Sequence, residues 1–202
     1  DEIVKQAMAK WPNVPHCYGW LALDARGNWR MRDDRAQKLN LAGDRITNPA
    51  LVGFINRNYL CDAQGRWYFQ NGPQRVYVNL QATPFIARTE PVHGFIFHTG
   101  EPIDAIDAVW ITDSGLLLLQ SGGRIAQIDD RDMAQCLARL HIDGKPVDDD
   151  RLLAWLDDEA DEADDGRVTL DCAGRELPVT RVRFDEIADK FRFTPRPLPD
   201  SA

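Results

Sequence analysis

Two groups of side chains have the chemistry to hold an anionic ligand. Across 75–80 the sequence alternates: Val76, Val78 and Leu80 point one way, and Arg75, Tyr77 and Asn79 the other. Gln70, Asn71 and Gln74 stand at the entrance to this stretch. A guanidinium offers planar donors and a phenol ring offers a stacking surface, so Arg75, Tyr77, Asn71 and Gln74 form a candidate site for a phosphate and a base. The competing explanation is an ordinary surface strand whose long side chains cover a neighbour. His93 and His98 join the candidate ligand-binding residues. A second group, Arg26, Arg30, Arg32, Arg35, Lys38 and Arg45, is a basic stretch able to serve an anion or simply to form a solvated face.

Catalytic and metal chemistry find little support. His93 and His98 lie five apart on an expected strand, which puts them on opposite faces, and zinc needs three or four convergent ligands. No metal and no cofactor is expected. Ser114, Ser121 and Ser201 are the only serines, and none sits in a Gly-x-Ser-x-Gly elbow. No catalytic residue is assigned. Ser121-Gly-Gly-Arg124 reads as a hairpin turn rather than a phosphate loop, and the acidic run 157–165 lacks the alternating ligands and the glycine of a calcium loop. A nucleophile or acid–base pair meeting only in space, such as a hydrolase using His93 or His98 with a carboxylate, is one alternative to a binding role. An adaptor that docks a protein partner through 157–165 is another.

Charge and composition narrow the class. The net charge is −8, but the first hundred residues carry 12 Lys+Arg against 8 Asp+Glu and the remainder 12 against 24. An acidic second half argues against general nucleic-acid binding. Opposed signs favour docking of the two halves or a polar cleft at their interface. No apolar run approaches the roughly 20 residues of a membrane helix, and the charged start is unlike a signal peptide, so a cytoplasmic protein with no membrane partner is expected. Cys17, Cys61, Cys136 and Cys172 form no Cys-x-x-Cys pair and read as buried free thiols of a reducing compartment.

The elements around these residues carry an internal repeat. Asp24-Ala-Arg-Gly27-Asn-Trp29 returns as Asp62-Ala-Gln-Gly65-Arg-Trp67. Asp followed three residues later by Gly is turn chemistry, and the Trp opens a strand. A helix is expected over 2–10, strands near 17–24 and 28–32, an irregular stretch over 33–47, a helix over 48–58 capped by Asn48-Pro49, and strands over 66–70 and 75–80. Helix and hairpin thus occur twice. Pro84 and Pro91 bracket a crossing into a second lobe. There 93–98, 108–112, 116–120, 124–128, 168–170, 176–179 and 180–184 read as strands, and 130–140, 148–158 and 185–191 as helices. The fold class is α+β: a duplicated helix-plus-β-hairpin lobe over 1–88, and a mainly antiparallel acidic lobe with helices over 89–202, its tail near 194–202 disordered.

Between Gly19 and Phe85 the chain resembles an uncharacterised bacterial family, one of the domains of unknown function. The likeness rests on Gly27-Asn-Trp29, Ile46, Leu51-Val52, Arg66-Trp-Tyr68, Val76-Tyr-Val78 and Thr83-Pro84-Phe85. It implies an α+β fold with internal duplication and a second lobe like a pleckstrin-homology domain. It further implies a nucleotide-like ligand between the lobes and a role in signal transduction. Thr47-Asn48 stand where the pattern has Arg after the Ile, and Gln81 where it has an acid before Pro-Phe, which puts in doubt any ion site built on those positions. The sequence thus favours a non-catalytic regulatory or ligand-binding protein for a small anionic or nucleotide-like ligand.

Overall fold

The computed structural model describes residues 2–10, 14–156 and 168–200. The acidic run 157–165 lies outside the described residues. The chain forms two compact units. One holds the residues up to Pro84 together with those from Arg192 onward, and the other holds Phe85–Phe191. The expected boundary at 88/89 thus stands at 84/85, and the end of the chain returns to the first unit.

The first unit contains α1 (Glu2–Lys10), β1 (Cys17–Leu23), β2 (Trp29–Met31), α2 (Asp34–Lys38), β3 (Asp44–Arg45), α3 (Pro49–Arg57), β4 (Tyr59–Cys61), β5 (Trp67–Asn71) and β6 (Gln74–Leu80). The stretch 33–47, expected to be irregular, holds α2 and β3. Asp33 caps α2 by accepting the Ala36 amide at 2.7 Å, a local signal that the polar composition of this stretch obscures. Asn48 caps α3 through the amides of Ala50 and Leu51, with Pro49 in the first turn.

The six strands are ordered β3-β2-β1-β6-β5-β4. Every pairing is antiparallel except β1 with β6, which is parallel. The sheet is therefore two three-stranded meanders laid side by side in the same direction. Both contain the same turn. In the first, Gly27 N donates to Asp24 O at 3.0 Å, and the Asp24 carboxylate accepts Arg26 N, Asn28 N and Arg30 Nε. In the second, Gly65 N donates to Asp62 O at 3.1 Å, and the Asp62 carboxylate accepts Gln64 N, Arg66 N and Arg66 Nε. Gly27 and Gly65 share a φ of 74°, the left-handed value the turn requires. Leu23 opposes Trp29 and Cys61 opposes Trp67. Both indoles touch the buried ring of Tyr59, at 5.0 and 4.8 Å between centroids.

Rather than disordered, 192–200 is bound to this unit. Thr194 N donates to Gly65 O, Leu80 N donates to Pro195 O, and Phe193 is buried. Its apolar and backbone groups find partners far away in sequence, which composition alone does not reveal.

The second unit contains β7 (Phe85–Glu90), β8 (Gly94–Phe97), β9 (Ala108–Thr112), β10 (Leu117–Ser121), β11 (Arg124–Ile128), α4 (Met133–Leu137), β12 (Leu140–Ile142), β13 (Lys145–Pro146), α5 (Asp149–Leu156), β14 (Val168–Cys172), β15 (Arg175–Val182), a 3-10 turn over Phe184–Glu186 and α6 (Ile187–Lys190). Its nine strands run β13-β12-β14-β15-β9-β10-β11-β7-β8. Leu117, Leu118 and Leu119 are all fully buried, so this strand is covered on both faces. The segment between the two prolines is not a simple crossing: Phe85–Glu90 is a strand, parallel to β11. The helix expected over 130–140 is short because Leu140 and Ile142 are needed in β12, opposite Leu170 and Val168.

A buried carboxylate ties this unit together. Asp129 is 1% exposed, its amide donates to Ala87 O, and its oxygens accept from the Arg131 guanidinium and face Arg88 Nε at 3.4 Å. Burial opposes the charge, yet the hydrogen bonds from Arg131 win and lower its pKa to about 2.

Two outcomes follow from these contacts. A folded pKa below the unfolded one adds stability that is present above pH ~4 and lost as pH falls through the folded value near about 2. Urea unfolding of Asp129→Asn should therefore show lower stability at neutral pH and a flatter decline into acid than the unaltered chain. For Gly65→Ala, the positive φ costs about 1–2 kcal/mol, and a Cβ there would lie 2.2 Å from Arg192 O. Its measured loss should exceed the φ cost alone, and hydrogen exchange should speed up at the amides of Thr194 and Leu80.

Candidate anion-binding site

The two faces of the first unit's sheet differ in chemistry. On one, Phe54 of α3 packs edge-on against Phe69 at 5.4 Å, and Leu21, Trp29 and Val78 are buried. The other carries Arg30, Arg75, Tyr68, Tyr77 and Asn79. Where the parallel strands β1 and β6 end together, this face opens into a cavity of about 240 Å³.

Three guanidiniums line it: Arg30, Arg32 and Arg196. Arg30 Nε bonds Asp24 Oδ2 at 2.8 Å and its Nη1 reaches Gly43 O at 3.2 Å. Arg32 is only 8% exposed. Its Nε donates to Leu41 O at 3.0 Å, and its Nη2 lies 3.4 Å from both Ala36 O and Asn40 Oδ1. All three partners are neutral, and among the described residues no carboxylate pairs with Arg32. Arg196 is exposed and, among the described residues, makes no side-chain hydrogen bond or ion pair. Asn79 and Gln81 add amides to the wall. Gln81 is also fixed: its side-chain Oε1 accepts Ala25 N at 3.1 Å, and its backbone N donates to Leu23 O at 3.0 Å.

Local structure makes this arrangement. The turn at Asp24 aims Arg30 back along the strand. Arg32 N bonds Trp20 O, which holds the residue after β2 against β1. The loop over 40–43 then folds onto Arg32, and that approach needs Gly43: its φ is +82°, and a Cβ would sit 2.3 Å from Met31 O and 2.8 Å from Arg32 Cγ. Among the described residues, Asp24 is the only carboxylate lining the cavity. Burial works against its charge, but hydrogen bonds from Asn28, Arg30 and Arg26 outweigh that and keep its carboxyl below the ordinary carboxylate range. With Asp24 neutralising Arg30, two guanidiniums face the cavity uncompensated.

The residues singled out at 70–77 lie elsewhere. Tyr77 is 1% exposed, so its ring is no platform for a base. It stacks on Tyr18 at 4.6 Å and 9°, lies 5.0 Å from the Arg66 guanidinium carbon, and donates its hydroxyl to Asp62 Oδ2 at 3.1 Å. Arg75 lies over Tyr68 at 4.6 Å. Gln74 Nε2 donates to Pro15 O, and Asn71 lines an apolar cavity beside Phe54 and Val76. Arg75 and Tyr77 come together within an aromatic stack, and Asn71 and Gln74 oppose each other across the β5–β6 pair, away from that stack. His93 and His98 belong to the second unit. His93 is exposed, and His98 Nδ1 accepts the Ile86 amide at 3.2 Å. Among the described residues no three His, Cys, Asp or Glu side chains gather as a metal site, and no helix is long and apolar enough to cross a membrane. The four cysteines are free, but of the four only Cys136 is buried; Cys17 and Cys172 are half-buried and Cys61 is exposed.

Of the basic stretch, Arg30 and Arg32 reach the cavity, whereas Arg26, Arg35, Lys38 and Arg45 do not line it. Arg196 lies outside the basic stretch. Its only local mark is the pair of prolines around it, which restrict the backbone.

The fold is α+β, with two mixed sheets and helices between their strands. The family model described as a protein of unknown function (DUF2946) matches residues 1–198, and the chain belongs to that family. Among solved structures, a DUF1285 family protein from Silicibacter pomeroyi DSS-3 is 17% identical, with a TM-score of 0.51 over 84% of this chain and 85% of the other. A DUF1285 family protein from Shewanella baltica OS155 is 12% identical, with a TM-score of 0.40 over 57% of this chain and 88% of the other. No curated protein matches the chain.

Proposed function

We propose that the chain is a regulatory ligand-binding protein whose first unit takes a small anion, a phosphate- or carboxylate-bearing metabolite of nucleotide type, in the pocket of Arg30, Arg32 and Arg196. The observation that carries this reading is Arg32, a nearly buried guanidinium whose hydrogen-bond partners are all neutral. Burying a charge without a counter-charge is costly, and an anion in the cavity would offset that cost. The cavity suits one phosphate or carboxylate group, with the rest of a larger ligand projecting outward.

The chemistry of the wall favours binding over catalysis. Guanidiniums only donate hydrogen bonds and do not lose their proton. Asp24, the one carboxylate of the wall among the described residues, is engaged by the backbone and side chains of its own turn. The pocket therefore orients and neutralises an anion without a group free to move a proton. Four free thiols accord with a reducing compartment, and we place this role in the cytoplasm as part of a signalling response.

Isothermal titration with inorganic phosphate, nucleoside mono- and diphosphates and dicarboxylates tests the reading. At least one anion should bind, with affinity falling as salt rises. Arg196→Ala should weaken it about tenfold, since a charge-assisted hydrogen bond contributes about 1.5–3 kcal/mol, while leaving thermal stability unchanged because Arg196 is exposed. The same affinity in Arg196→Ala, or no heat and no thermal shift with any of these anions, would reject the pocket.

A further inference from the structure

We infer that the second unit carries a ligand site of its own, for an organic acid with an apolar body and one anionic head. The site is a cavity of about 950 Å³, within the roughly 300–1,000 Å³ range typical of small-molecule sites. It stands whether or not the arginine pocket of the first unit binds an anion, because no residue is shared.

The curvature of the nine-stranded sheet produces this cavity. The β7–β8 hairpin lies at one end of the strand order and the β14–β15 hairpin toward the other, yet both line the same space. The sheet therefore curls until these hairpins face each other across an open seam, the position where curled sheets hold ligands. Helix α4 spans the seam. Toward β7, Asp132 Oδ2 accepts Thr89 N at 2.8 Å. Toward β14, Arg139 O accepts Asp171 N at 3.0 Å. The separation is thus held open by a built element.

The lining has two parts. Phe95, Ile103 and Leu177 present apolar side chains that are themselves nearly buried. Arg139, half-buried, and Arg175 add two guanidiniums that, among the described residues, make no side-chain hydrogen bond or ion pair. Three carboxylates share the lining, but two already hold turns. Glu90 Oε2 accepts the amides of Val92 and His93 at 2.8 and 2.7 Å, and Asp171 Oδ1 accepts Gly174 N at 2.8 Å. These bonds fix Glu90 and Asp171 without removing their charge, so among the described residues three carboxylates share the lining with two guanidiniums, and the part that suits an anion is confined to Arg139 and Arg175, which both act on the Cys172 thiol. A carboxylate, sulfonate or phosphate placed between Arg139 and Arg175, with an apolar body against Phe95 and Ile103, satisfies both parts. A small inorganic ion would leave the apolar wall uncovered.

A matched pair of fluorescent probes tests this on the full chain. 8-Anilinonaphthalene-1-sulfonate and N-phenyl-1-naphthylamine share an aromatic body and differ in the anionic group. The sulfonate should bind about tenfold or more tightly than the neutral dye, one charge-assisted contact being enough for such a ratio. The double variant Arg139→Met, Arg175→Met should erase that preference while still binding the neutral dye. Arg139→Lys with Arg175→Lys should retain it, and Arg196→Ala should leave it untouched. Cys172 lines the same cavity, so the sulfonate should slow its alkylation by iodoacetamide several-fold without protecting the exposed Cys61. Equal affinity for the two dyes, a preference that survives the double methionine variant, or unprotected Cys172 would each overturn the assignment.

Discussion

The first unit depends on one carboxylate. Asp62 closes the second repeat's turn through Gln64 N and Arg66 N, grips Arg66 Nε at 2.8 Å, and accepts the Tyr77 hydroxyl at 3.1 Å. Burial disfavours its charge, but these bonds outweigh that and hold its carboxyl below the ordinary range. Arg66, fixed in this way, lies against the Tyr77 ring and reaches Asp200 at 2.6 Å. A turn residue therefore sets the position of the central strand β6, the aromatic stack beneath it and the end of the chain. The equivalent Asp24 does the same for β2, but the side chain it orients is Arg30, which points into a cavity. One local motif thus yields a structural core in one copy and part of a charged pocket in the other.

What was legible in the sequence was local. Asp followed by Gly three residues on predicted both turns because the carboxylate and the positive φ act within five residues. Asn48-Pro49 predicted the start of α3 for the same reason. The alternation over 75–80 correctly separated Val76, Val78 and Leu80 from Arg75 and Tyr77. It did not tell that both faces of β6 are covered, so Tyr77 reads as an exposed aromatic in sequence and is buried in fact. Alternation reports which residues share a face, and burial depends on what other segments lay upon that face.

The candidate site was only partly legible for a related reason. Arg30 and Arg32 were visible as part of a basic stretch, but nothing local distinguishes them from Arg35 or Lys38. The distinction comes from Asp24, which aims Arg30, and from the loop over 40–43, which covers Arg32 only because Gly43 allows the approach. Arg196 arrives from the far end of the chain, carried by backbone bonds to Gly65 and Leu80. A Pro-rich tail has few apolar side chains and reads as unfolded by composition. Its order rests on a handful of long-range partners that composition does not encode.

The position of the arginine pocket follows from how the repeats are joined. Two meanders running in the same direction can share a sheet only by pairing their inner strands in parallel. Parallel neighbours end on the same side, and no hairpin links them there. After β1 the chain turns at Asp24, and after β6 it continues through Gln81, which bonds Leu23 O and Ala25 N and keeps the two exits joined. The crevice lies on the sheet face beside this joint. Here the crevice collects Arg30 from β2, Arg32 from the end of β2, and Arg196 from the tail, three cations around one carboxylate. The tail brings its own acid, Asp200, but binds it to Arg66 rather than to the pocket. The Asp24 turn thus supplies one compensated arginine, and the remaining charge faces a space the chain's own described acids do not fill.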